Sequence, residues 1–235
     1  LIPNVYPNLV PFFGIDEDTP FQVKMLSKMV ESSQKKIEAQ NYASRKFVLE
    51  YDDVMNTQRN IIYGERNKVL DGVDIHDEIL SMFPDTVERI IFGLLSDDKP
   101  YFEWDLGPVN DALEDRLFPK GTNLLTEEFV EDCEVNDVYE KVLSKVLERY
   151  ENVVKQAEQL NFDFSKLERY FLLRVVDVLW MDHIDTMDIL KKEIGLQAYG
   201  GHDPLVEYKR EGHQMFERMT EKIKEDTSTF LLNVK

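Results

Sequence analysis

The residue types best suited to chemistry gather in one short span: Asp177, Asp182, His183, Asp185 and Asp188. Carboxylates near an imidazole can bind a metal ion or serve as general acid and base. The same spacing also makes the polar face of an amphipathic helix, and that plainer account is preferred. The four histidines, His76, His183, His202 and His213, form no HxxH or HExxH pair. A single cysteine, Cys133, excludes an intramolecular disulfide and a multi-cysteine zinc site. There is no GxxxxGK[ST] and no GxGxxG, so no phosphate-cradling loop lies in this chain. One cysteine and scattered histidines make no nucleophilic set either. We therefore expect no catalytic residue and no metal site here.

Three further places invite a contact rather than a reaction. Tyr51, Asp52 and Asp53, followed by Asn56 and Arg59, sit inside a long helical pattern, where two adjacent aspartates are poor helix formers. They are either surface charge or the bonding face for a neighbouring module. Trp180 lies on an apolar helix side and serves core packing or, as the lesser alternative, a partner contact. Tyr199 falls in a glycine-flanked turn beside Leu196 and Gly200. It either projects to touch something apolar and variable or folds back on its own hairpin.

The elements that position these residues follow from periodicity. From Phe21 to Tyr63 there is no Gly and no Pro, and apolar or small residues recur every three or four positions. Two polar positions, Gln40/Asn41 and Gln58, break that row. Gly64 interrupts late and Gly72 reads as a stop. Fifty residues of helix from Phe21 to Leu70 would make a rod of roughly 75 Å. Thr19-Pro20 supplies a cap and a first-turn proline. Residues 71–165 alternate short helical patterns with breakers. Ile75–Phe83 and Thr86–Leu95 are split by Pro84, Asp111–Phe118 is stopped by Pro119, Thr126 opens a further helix, and Val135–Leu160 is strongly periodic. A second long helix runs from Ser165 to Leu196, apolar on more than half its circumference near 170–181, which predicts burial on two sides. After the loop Gln197–His202, Asp203-Pro204 opens a third helix to about Val234. The last two pair as an antiparallel hairpin. The expected fold is all-α: a long helix, a small helical module and a two-helix hairpin.

The chain has 235 residues, 43% of them hydrophobic, which argues against wholesale disorder. Net charge is −18, concentrated between residues 71 and 170. That balance argues against a nucleic-acid partner, whose phosphates require a basic surface. No run of eighteen apolar residues predicts a membrane span, and the start at Leu1-Ile2-Pro3-Asn4 lacks the features of a signal peptide. A start without Met suggests a processed or excised chain.

Several runs carry a family resemblance. Lys46-Phe47-Val48-Leu49-Glu50-Tyr51-Asp52-Asp53-Val54-Met55-Asn56-Thr57-Gln58-Arg59 resembles the signature on the long scaffold helix of SecA, the motor ATPase of bacterial preprotein translocation. Gly14–Pro20 and Lys24–Lys28 resemble the approach to that helix, and Glu103-Trp104-Asp105-Leu106 a short motif of the family's wing. Leu179–Asp185, Leu196–Gly200, Asp203-Pro204-Leu205 and Glu207-Tyr208 are similar to its two-helix finger. The resemblance covers roughly residues 13–230, in the family's order; residues 1–12 do not match, and the wing agrees only at scattered positions.

Four of the nine prolines fall in residues 1–20, which makes 1–19 an irregular segment; the resemblance implies the scaffold helix at 20–71, a helical wing at 72–165 and the finger at 166–235. It implies a C-terminal SecA fragment without enzyme activity of its own, with ATP and Mg belonging to motor domains upstream. Tyr51, Asp52, Asp53, Asn56 and Arg59 would contact those nucleotide-binding domains. Tyr199, Leu196 and Gly200 would meet the SecYEG channel and the unfolded preprotein. The implied location is cytoplasmic, peripheral to the inner face of the plasma membrane. Two other classes stay open: a self-standing helical adaptor without a motor, and an enzyme using the Asp/His face of the hairpin.

Overall fold

A computed structural model describes residues 23–197 and 203–234, with side chains from 27 to 194 and from 203 to 234. The described residues form α1 (Val23–Leu70), α2 (His76–Leu94), a 3-10 turn (Tyr101–Glu103), α3 (Leu106–Arg116), α4 (Glu127–Val130), α5 (Val135–Gln159), α6 (Phe164–Gln197) and α7 (Pro204–Leu232). There is no strand among them, as the all-α expectation requires. The chain divides into two units, residues 1–52 and 53–235. The expected cap at Thr19-Pro20 lies outside the described residues.

In the first unit, α1 presents its apolar row to solvent. Met29, Val30, Ile37, Tyr42, Phe47, Val48 and Leu49 are each at least 48% exposed. Tyr51 is the exception, buried at 1% with its ring 4.4 Å from that of Phe47.

In the second unit, α1 is covered: Gln58, Ile62 and Val69 are buried. Gly64 does not interrupt the helix; it faces open space, and the helix runs on for six residues. The stop comes at Gly72, whose φ of +82° suits a residue without Cβ. Its N–H bonds to the Val69 carbonyl and the Val73 N–H to that of Lys68, the pattern of a Schellman cap.

The wing core forms where α2 meets α5. Ile79, Phe83, Val87 and Ile91 of α2 face Val138, Val142, Val146 and Tyr150 of α5, all at 1% exposure or less. Pro84 does not split α2 in two, contrary to the expectation above. An interior proline costs about 3 kcal/mol. Six apolar side chains buried on the α2 face, each contributing about 1.5–3 kcal/mol, outweigh it. α3 begins five residues earlier than Asp111, because Asp105 accepts from the Gly107 N–H and Pro108 sits in the first turn, where no intrahelical donor is needed. Thr126 caps α4 by accepting from the Phe129 N–H at 3.2 Å.

α6 and α7 make the most extensive helix pair, the expected antiparallel hairpin. Asp203 caps α7 by accepting from the Leu205 N–H, with Pro204 at the first helical position. The two-sided burial predicted near 170–181 does not occur. Leu172, Val175 and Trp180 are buried, but Tyr170, Val178 and Met181 are more than half exposed. The covered side meets α1 and α7 and, near the start of the helix, α2 and α5; nothing among the described residues covers the other side.

α7 is also tied to the wing. Arg89 and Arg116 both reach Glu225, Lys224 pairs with Asp85, and the Arg149 guanidinium donates to the Leu232 carbonyl at 2.7 Å. Burial lowers the pKa of Arg149 from its ordinary value.

Candidate functional site

The structure takes the Asp/His set apart. His183 points inward and is 5% exposed, whereas Asp182, Asp185 and Asp188 lie on the solvent side. Asp177 is engaged elsewhere, in a two-point ion pair with Arg66 of α1 at 2.9 and 3.5 Å. Among the described residues no three His, Cys, Asp or Glu come together to hold a metal ion. Trp180 packs in the core, edge-on to Tyr63 and 5.6 Å from the His183 ring.

His183 is held instead by a residue that the sequence marked only as an irregularity. The buried Gln58 amide reaches both arms of the hairpin, with Oε1 2.9 Å from His183 Nε2 on α6 and Nε2 donating to the Gly212 carbonyl on α7 at 3.1 Å. A carbonyl can only accept, so the amide nitrogen faces Gly212 and the amide oxygen faces His183. The imidazole must then carry its proton on Nε2. Burial pushes the His183 pKa below the ordinary value, partly offset by the neighbouring Asp182 charge, so the ring is neutral near pH 7. Gly212 brings α7 close to α6: a Cβ there would stand 2.7 Å from Cε, the far end of the Met187 side chain.

A shallow groove opens beside this clamp, lined by Asp53, Val54, Thr57, Ile61, Lys209, His213 and Phe216, with Gln58 in its wall. It contains one of the five mid-helix candidates. Asp53 is exposed, and its carbonyl accepts from the Thr57 hydroxyl. Asn56 and Arg59 are exposed and bonded to each other at 2.9 Å. Asp52 is exposed and Tyr51 buried, so the five residues do not share one surface. The other three candidates cannot be placed. Tyr199 and Gly200 lie outside the described residues, and Leu196 lies in α6 with its side chain outside them.

A second buried polar node escaped the sequence reading altogether. Glu168, at the start of α6, is 1% exposed. Its Oε1 accepts from the Tyr150 hydroxyl of α5 and lies 2.9 Å from His76 Nδ1 at the start of α2. The His76 ring stacks on Tyr150 at 5.8 Å. Burial first, and then the bond to Glu168, drive the Tyr150 pKa well above its ordinary value, so the phenol remains a donor. One carboxylate thus joins two wing helices to the hairpin. In the sequence Glu168 is one acid near a helix start, a common and uninformative position.

A family model described as the SecA Wing and Scaffold domain matches residues 20–235. The chain is 41% identical over 226 residues to the protein translocase subunit SecA of Acetivibrio thermocellus, covering 96% of this chain and 24% of that protein. It is 40% identical to the subunit of the same name from Syntrophomonas wolfei, covering 97% of this chain and 27% of the relative. The protein translocase subunit SecA 1 of Clostridioides difficile is 39% identical, with 96% and 24% covered. The chain therefore spans about a quarter of the length of the curated relatives it matches. No helix among the described residues is long and apolar enough to cross a membrane.

Proposed function

The chain belongs to the SecA family by its wing and scaffold region, and on that premise we propose that it is the transmitting part of a preprotein-translocating motor. In this reading residues 20–71 are the scaffold helix, 72–165 the wing and 166–235 the finger. ATP and Mg bind in motor domains outside this chain, and the chain itself is not the catalyst. Those motor domains engage the scaffold helix around Tyr51, Asp52, Asp53, Asn56 and Arg59. The finger, through Tyr199, Leu196 and Gly200, enters the SecYEG channel and meets the unfolded preprotein. The whole works at the cytoplasmic, inner face of the plasma membrane without spanning it.

The family match over residues 20–235 carries this reading. The apolar row left uncovered on the first half of α1 supports it, because such a row calls for a docked module. A continuous helix is stiff along its axis, and an aromatic at a hairpin tip touches any passing side chain without reading its sequence. The test is Tyr199→Ala in the full-length protein, which should lower preprotein transport and leave basal ATP hydrolysis nearly intact. Equal loss of both would overturn the assignment. Asp53→Ala or Arg59→Ala should instead alter ATP turnover, and unchanged turnover across nucleotide conditions would count against coupling at that position.

A further inference from the structure

We propose that Gln58 is a register pin: its amide ties both arms of the hairpin to one setting along α1, so the hairpin base moves with the second half of α1 and does not slide along it.

The geometry allows one setting only. Gln58 and His183 are 6% and 5% exposed, and both ends of the amide are used, one on each arm. Sliding the hairpin by one turn, roughly 5.4 Å, would carry the amide off both partners. The amide N–H, the amide oxygen and the His183 N–H would then be buried without partners. Each such loss lowers the population of the displaced state by about tenfold.

Close packing adds a second restraint at the same level. Gly212 lets α7 approach until Met187 Cε fills the place a Cβ would take, and Val54 of α1 closes the third side. Movement of the hairpin relative to α1 must therefore arise beyond the pin. The stretch of α6 there, from Met187 to Gln197, is roughly 15 Å long and packs through the buried Met187, Leu190 and Ile194. The placement of the pin rests on the packing of α1, α6 and α7; only its consequence for transport rests on the function proposed above.

The experiment is a pair of spin labels at the exposed Asn60 of α1 and Gln214 of α7, in a Cys133→Ser background, with a second pair at Glu88 and Glu140 reporting on the wing. The parent should give one narrow distance. Gln58→Leu should broaden it about twofold or split it, as loss of two buried bonds predicts, while the wing pair stays unchanged. Gln58→Glu at pH 8 keeps an acceptor for His183 and repels the Gly212 carbonyl, so it should fall between the two, and it decides the matter alone if the leucine variant does not fold. Distributions as narrow as the parent's in the variants that fold would overturn the pin. So would a nitrogen-15 imidazole spectrum placing the His183 proton on Nδ1. If the pin holds but Tyr199→Ala leaves transport unchanged, the transmission reading fails and the pin stands. If the hairpin slides yet transport depends on Tyr199, the reverse is true.

Discussion

The two halves of α1 share one apolar spacing and meet opposite surroundings. From Met29 to Leu49 the large apolar side chains stay about half exposed or more, whereas Ile62 and Val69 are nearly fully buried. Periodicity selects a helix and chooses which side is apolar. It carries no information on whether that side is covered, because cover comes from segments distant in sequence. In the second half the cover is α7 and α6, brought in by a hairpin that begins a hundred residues later. In the first half it is left, in the function proposed here, to the motor domains.

The largest test of this contrast uses one substitution twice. Ile62→Ala should destabilise the chain by about 2–5 kcal/mol through lost burial and a cavity. Ile37→Ala, in the same helix and the same row, should change stability by less than about 0.5 kcal/mol. Urea midpoints for the two variants decide it, and equal effects would break the contrast. Next in size is Glu168→Ala, which leaves Tyr150 and His76 without their shared acceptor and should cost about 1–3 kcal/mol. If thermal unfolding shows no loss, the node does not hold the wing to the hairpin.

Smaller effects refine the same picture. Gly64→Ala should stabilise α1 by about 0.5–1 kcal/mol, since a Cβ there meets nothing. The same change at Gly212 should stabilise less than at Gly64, because the buried Met187 thioether must shift to admit a Cβ. Helix content followed through a thermal melt would report the difference. The smallest effect is a dependence on pH. His183 is depressed in the folded state, so over the acid side of the ordinary histidine range, near 6.5, the unfolded chain holds a proton that the folded chain refuses. Stability therefore falls as pH drops through that range and stops falling below the folded pKa. His183→Asn keeps a donor toward Gln58 and should flatten this part of the curve; an unchanged slope would assign it to other groups.

What could be read in advance was local. The Schellman stop at Gly72, the Asp203-Pro204 start, the Thr126 cap and the α5 stripe were legible because each depends on a few consecutive residues. Pro84 misled because its local penalty is real and is overruled only by a buried face that the wing completes. Gln58 was visible as a polar residue in an apolar row, yet its purpose required two partners 125 and 154 residues away. The Asp/His set failed for a related reason: helical spacing places Asp182, Asp185 and Asp188 on the side away from His183, and only the packing of α1 and α7 reveals which side is inward.

The sequence by itself determined that the chain is helical, where most helices begin and end, and which family it resembles, because caps, breakers and motifs act over a few residues. Tertiary structure alone decided which apolar faces are covered, which proton the His183 ring carries, and that a lone glutamine and a buried glutamate join the helices. Those outcomes depend on desolvation and on bonds between residues far apart in the chain, and neither is encoded in any local pattern.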